Sequence, residues 1–322
     1  MKKRIAVIGS LAALAALICA SGEVMESCRY ALSLCAELII PSLFPFFVLS
    51  ILLSRLGLPE LLGRLTSGIS KRLFNVSGAG ASALIMGLTG GYPLGAAYIA
   101  DMRRAGSVSA EEAERLMGFC NNSGPAFIIG AVGAGVFASP RAGLYLYCIH
   151  IASAVITGLI LRTSRAVPDG GICEVTTEET GVPFAEAFPS AVKQALVSIL
   201  NVCAFVVCFT VLVGLLNAGG FFSLSVGRIA AATGWELHWV RALLTGILEL
   251  GSGVGAMRGL GLNAVNLALA AFLVGWGGIS VHFQTMAVIA ESGIKGALHF
   301  AGRLISASIS AVLAYFLYGL AF

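Results

Sequence analysis

The chain has 322 residues, 58% hydrophobic and 11% charged, with a mean hydropathy of +0.93 and a formal net charge of +4. Soluble domains carry about 25% charged residues, so this composition marks an all-α polytopic membrane protein. The small positive excess is spread over loops and says nothing for nucleic-acid binding, and no basic stripe with interleaved aromatics occurs.

Lys2, Lys3 and Arg4 followed by the apolar run Ile5–Ala20 fit a signal peptide or a retained first span with its N-terminus inside. Cys19-Ala20-Ser21-Gly22 is a poor A-x-A cleavage site, which favours retention. Residues 1–30 are therefore read as a signal-anchor span. Further runs near the 20 residues a span needs are Ala31–Ser54, Met117–Ala138, Gly143–Leu161, Ala195–Leu216, Asn266–Ile289 and Gly296–Leu320. This predicts about seven transmembrane helices. Glu37, ahead of Pro41 and Pro45, is a weak site candidate. The cysteines fall mostly inside apolar runs without CxxC or metal spacing and are expected to be small buried side chains. The four histidines show no zinc spacing.

Leu73–Ala100 is uncharged, with Lys71 and Arg72 before it and Arg103 and Arg104 after it. Cytoplasmic-type charge on both flanks does not suit a single crossing. It suits a re-entrant hairpin, and such broken segments are tolerated at membrane depth only where protein buries them or they line a cavity. The tip is Thr89-Gly90-Gly91-Tyr92-Pro93. Gly90 and Gly91 end one half-helix, and Pro93 suits the first turn of the next. The free amides and dipole of that second half-helix predict an anion site.

Ser109 and Glu112 form a capping box that opens the next span. That span is interrupted at Asn121-Asn122-Ser123-Gly124-Pro125, where Pro125 removes a donor and crowds the carbonyl four residues back. Two amides beside freed carbonyls predict a polar site at mid-membrane. Residues 163–189 are polar, with Asp169, Glu174, Glu178, Glu179 and Glu186, and are read as a linker.

The second half repeats the pattern of span, hairpin, span, span from the opposite side, which is the signature of an inverted repeat. At a displacement of 160 residues, Leu84, Leu88, Gly91, Gly95 and Ala96 meet Leu244, Leu248, Gly251, Gly255 and Ala256. The units are a first repeat, 31–162, with hairpin 75–102, and a second, 190–322, with hairpin 237–258. The second tip carries Glu249, Gly251 and Ser252. An ionisable residue at membrane depth is a functional candidate: Glu249 would exchange a proton, bind a coupling cation or contact substrate, unless it pairs with Arg241 or Arg258 at the surface. The broken span after it offers Ser280 and Gln284 on one helix face, with His282 close by.

No GxSxG, HExxH, P-loop or paired carboxylates occur, so the expectation is a non-enzyme without a resident cofactor. Its partners would be the bilayer and a small-molecule substrate, with no nucleic acid. A proton or sodium ion is the coupling-ion alternative, and a homo-oligomer stays open.

At GLTGGYPLGAAYIADM and FCNNSGPAFIIGAVG the chain resembles the nucleoside-recognition, or Gate, domain family, and within it the sporulation integral membrane proteins of spore-forming Firmicutes. The resemblance implies a fold similar to concentrative nucleoside transporters, with two hairpins and two broken helices around the substrate. By that resemblance the lining is Gly90 to Pro93, Asn121 to Ser123, Glu249 to Ser252 and Ser280 to Gln284. It also implies movement of dipicolinate across the mother-cell-derived outer forespore membrane. A proton- or sodium-coupled nucleoside transporter and a non-transporting sporulation scaffold are the alternatives.

Overall fold

Apolar segments without water must close their backbone hydrogen bonds internally, and a helix does so within one segment. In the computed structural model, which describes residues 2–162 and 182–322, every regular element among the described residues is helical. Helix α1 covers Lys2–Cys19. Helix α2 (Ser21–Leu34), a π-turn (Cys35–Ile39) and α3 (Ile40–Arg55) make one long rod. Helix α4 (Leu58–Phe74) meets α5 (Gly78–Gly90) at a bend of 96°. Helix α6 is Leu94–Arg104 and α7 is Ala110–Phe119. A π-helical segment (Ala126–Val136) and α8 (Pro140–Ile160) complete the first half.

The second half runs α9 (Phe184–Ala218), α10 (Phe221–Thr233), α11 (Leu237–Leu248), α12 (Leu250–Gly255), α13 (Ala264–Trp276), α14 (Gly278–Ile289), α15 (Ala297–Phe316) and α16 (Tyr318–Ala321). Each half thus reads long rod, connecting helix, helix pair, interrupted helix, long helix. Leucines and phenylalanines such as Leu65, Leu196, Phe316 and Leu320 are exposed on the outside. That surface is suited to lipid tails.

Both short pairs are hairpins. A Cβ on Gly95 would stand 2.9 Å from Gly87 Cα, and one on Gly253 would stand 2.1 Å from Gly246 Cα. Residues seven or eight apart in a straight helix lie about 10–12 Å from each other, so each pair folds back on itself. Small residues allow these backbone-to-backbone approaches, as is usual between membrane helices. The same device joins α15 to α7, where a Cβ on Gly302 would meet Gly118 O at 2.1 Å.

Several expectations are corrected. Among the described residues five helical rods are long and apolar enough to cross a membrane, or six with the bent pair of α4 and α5 taken as one span. The apolar part of α1 is only Val7–Cys19, and Met117–Ala138 is divided at Cys120–Pro125. The first long rod begins at Ser21, within the segment assigned to the N-terminal span. Residues 163–181 of the linker lie outside the described residues, and its end is helical, because α9 starts at Phe184 and takes in Glu186 and Pro189. Cys19, Cys148 and Cys208 are exposed on the outer faces of helices. An apolar run in a membrane can bury a side chain in lipid as readily as in protein. The capping box is half formed. Ser109 Oγ accepts from Glu112 N–H at 3.1 Å, but the Glu112 carboxylate accepts from Ser77 N–H at 2.6 Å. Glu112 thereby ties α7 to the start of the first hairpin, where free amides and the helix dipole favour an anion.

Candidate substrate site

The first tip forms because Gly91 takes φ +77 and ends α5, while Pro93 stands at the N-cap of α6 after a cis Tyr92-Pro93 bond. A Cβ on Gly91 would lie 2.7 Å from Gly124 N, so this tip presses on the interruption between α7 and the π-helical segment. The second half shows the equivalent relation. A Cβ on Gly278 would lie 2.8 Å from Leu250 N and 3.4 Å from Glu249 C, which sets the second tip on the break between α13 and α14. The halves then meet: a Cβ on Gly277 would touch the Tyr92 ring at 3.4 Å. Two tips and two helix breaks converge on one place.

A cavity lies there, with about 50 Å³ open to the centres of water molecules, room for a few waters. Its lining includes Gly90, Gly91, Tyr92, Ser123, Glu249, Gly251 and Gln284 from the residues singled out in the sequence. The rest is mostly apolar: Ile39, Leu43 and Phe47 from the first rod, Phe127 from the π-helical segment, Val202 and Val206 from α9, and Val281 from α14. These walls are ordinary members of long hydrophobic runs, and nothing in the sequence separates them from lipid-facing neighbours.

The remaining candidates stand behind the lining or away from it. Thr89 is exposed and its hydroxyl donates to Ile85 O at 2.8 Å. Pro93 is buried in the tip. Asn121 accepts from Ala96 N–H (3.2 Å) and donates to Thr285 Oγ1 (3.0 Å), which ties the first hairpin to α14. Asn122 donates to Phe119 O at 2.7 Å. Ser252 shares a hydrogen bond with Thr210 of α9 at 2.8 Å. Ser280 is fully buried, with its hydroxyl near the Glu249 carboxylate. His282 does not line the cavity. Its ring packs among Trp276, His299 and Phe300, with Nδ1 2.9 Å from His299 Nε2.

Glu249 is 2% exposed and extended (φ −141, ψ 117), so it breaks the chain between α11 and α12. Its carboxylate accepts from Gly251 N–H at 2.9 Å and from Ser252 N–H, and so caps α12. The second hairpin's helix end is therefore already supplied with an anion from its own chain. At the first tip, Ala96 N–H is taken by Asn121. At the anion site expected for the first tip, one of the amides at the start of α6 is thus taken by a side chain of the protein. Glu249 is also not a surface residue paired with Arg241 or Arg258.

Sequence reasoning missed Arg303. It lies in α15 and is fully buried. Nη1 donates to Asn122 Oδ1 (2.9 Å) and Tyr92 OH (3.2 Å), and Nη2 to Gly118 O (3.3 Å). Among the described residues Nε has no partner, and no carboxylate pairs with the guanidinium. The signal was in the sequence, since an arginine at a helix centre costs about 2.5–3.5 kcal/mol on insertion scales. His150, His282 and His299 lie within reach of the same charge. His150 Nε2 accepts from Ser123 N–H at 3.1 Å, closing the interruption from behind.

Comparison with known proteins agrees with this geometry. No family model matches the chain. Two solved structures of the concentrative nucleoside transporter CNTnw, one outward-facing and one in an intermediate state, share the fold. TM-scores are 0.55 and 0.56 at 14% identity, over 99% of this chain and 84% and 85% of theirs. The sporulation integral membrane protein YlbJ of Bacillus subtilis (strain 168) is 29% identical over 314 residues, 91% of this chain and 77% of that protein. The chain is thus an integral membrane homologue of a sporulation protein, built on the fold of concentrative nucleoside transporters.

Proposed function

We propose that this protein is a secondary carrier, not an enzyme, and that it moves a small anionic metabolite during sporulation. Dipicolinate is the leading substrate and the mother-cell-derived outer forespore membrane the site of action. The observation that carries the reading is the convergence of two hairpin tips and two helix breaks on one largely apolar cavity that holds Tyr92, Ser123, Glu249 and Gln284. A scaffold has no need of interrupted backbone at membrane depth, whereas a carrier binds substrate there. The cavity is too small for a heteroaromatic ring as it stands, so binding requires the tips to part. Tyr92, Phe47 and Phe127 offer faces to a flat ring.

Glu249 suits a coupling role. It is a buried carboxylate on the cavity wall whose acceptors are shared with backbone amides of the moving tip. Exchange of a proton or a sodium ion there would alter the cap and with it the tip. The second reading is a proton- or sodium-coupled nucleoside carrier, which the likeness to CNTnw and the polar pair Glu249 and Gln284 favour. Uptake of labelled dipicolinate and labelled nucleosides into proteoliposomes separates the readings. Saturable dipicolinate uptake supports the first, nucleoside uptake alone the second, and neither points to a non-transporting scaffold.

A further inference from the structure

Arginine stays protonated in proteins, so the full positive charge of Arg303 is permanent. Among the described residues every acceptor on it is neutral: the Asn122 amide oxygen, the Tyr92 hydroxyl and the Gly118 carbonyl. One guanidinium nitrogen, Nε, has no acceptor among the described residues. Charged residues inside a membrane protein are ordinarily paired, and a buried charge left without a counter-charge is strongly unfavourable. The fold keeps this one beside the site: Tyr92 both lines the cavity and accepts from Arg303, and Asn122 adjoins the cavity residue Ser123. Gly302 and Gly118 let the two backbones close up next to it. Of the helix-end donors near the cavity, Gly251 N–H and Ser252 N–H are taken by Glu249 and Ala96 N–H by Asn121.

We propose that Arg303 is the counter-charge for the substrate, a carboxylate of a small organic anion that reaches the guanidinium past Tyr92 and displaces the Tyr92 hydroxyl from it. The proposal rests on the carrier reading above and identifies the residue that selects anions. Guanidinium and carboxylate match in shape and can share two hydrogen bonds.

The test is equilibrium binding of labelled pyridine-2,6-dicarboxylate, its neutral diamide and a nucleoside to the full-length protein in nanodiscs. Variants are Arg303→Gln, Arg303→Lys and Asn122→Asp. Asn122→Asp keeps the side-chain shape but gives Arg303 a permanent carboxylate partner, and it decides the matter if Arg303→Gln fails to fold. Diacid binding is expected to fall about tenfold or more in Arg303→Gln and in Asn122→Asp, and to fall less in Arg303→Lys. The wild type should prefer the diacid to the diamide. Variants that bind the diacid as the wild type does, or a lysine variant no better than the glutamine one, overturn the role of Arg303 while the anion reading stands. A wild type that binds only the nucleoside overturns both.

Discussion

Gly91 and Gly124 meet backbone to backbone, with room for no more than a hydrogen on either: a Cβ on Gly91 would lie 2.7 Å from Gly124 N, and one on Gly124 would lie 3.1 Å from Gly91 Cα. The first hairpin and the first broken helix therefore share one contact made of main chain. Gly91 also holds φ +77, where L side chains are strained.

Gly91→Val should insert and remain helical yet lose transport. The conformation alone costs about 1–3 kcal/mol, and the added methyls must push the tip off Gly124. Normal uptake by this variant in proteoliposomes would reduce Gly91 to a packing residue.

Glu249→Gln should lose concentrative uptake and its pH dependence while substrate exchange persists. Glutamine keeps one acceptor for the α12 amides, so stability should fall by only about 1 kcal/mol. Flux measured across a pH series in this variant is the check, and unchanged flux at every pH would remove Glu249 from coupling. Lost binding would place it against the substrate.

The flanks of the first hairpin should be labelled from one side. Ala100 is fully buried and unsuitable, so the probes belong at the exposed positions Arg72 and Ala105. In a background without native cysteines, Arg72→Cys and Ala105→Cys should both react with a membrane-impermeant maleimide on the same face. Reaction from opposite faces would mean that the segment spans.

Asn121→Ala should loosen the joint between the repeats, because it leaves Ala96 N–H and Thr285 Oγ1 without their partner. A loss of about 1 kcal/mol is expected for interhelical bonds in a membrane. Thermal unfolding in detergent should show it, and Thr285→Val should reproduce part of it. An unshifted midpoint in both variants would deny the joint any structural weight.

The class of the fold was legible because membranes permit few solutions. The Gly90-Gly91-Tyr92-Pro93 run names a chain reversal and the Ser123-Gly124-Pro125 run a helix break, both directly through backbone chemistry. Helices α4 and α10 were not anticipated, since their mixed faces read as loop when a search looks for uniform spans. At the site, Tyr92, Ser123, Glu249 and Gln284 stood out as polar or turn residues, and all face the cavity. Ser280, His282 and Asn122 stood out equally but support the wall from behind, because spacing along a helix gives a face and not what that face meets. Phe47, Val202 and Val206 had no signal, whereas Arg303 had one, a lone charge within an apolar run.

The two hairpins differ in their inner arms. Helix α6 has 11 residues and α12 has 6. Six residues close barely more than one turn, so α12 depends on its Glu249 cap to be a helix at all. An 11-residue arm can swing as a stiff lever, whereas a capped single turn can fray. Opening on the α6 side would then be a rigid rotation with little change in backbone hydrogen bonding. Opening on the α12 side would be a local melting, paced by how firmly one carboxylate holds two amides. The molecule would thus have a hinge at one tip and a latch at the other, with unequal rates of opening at the two.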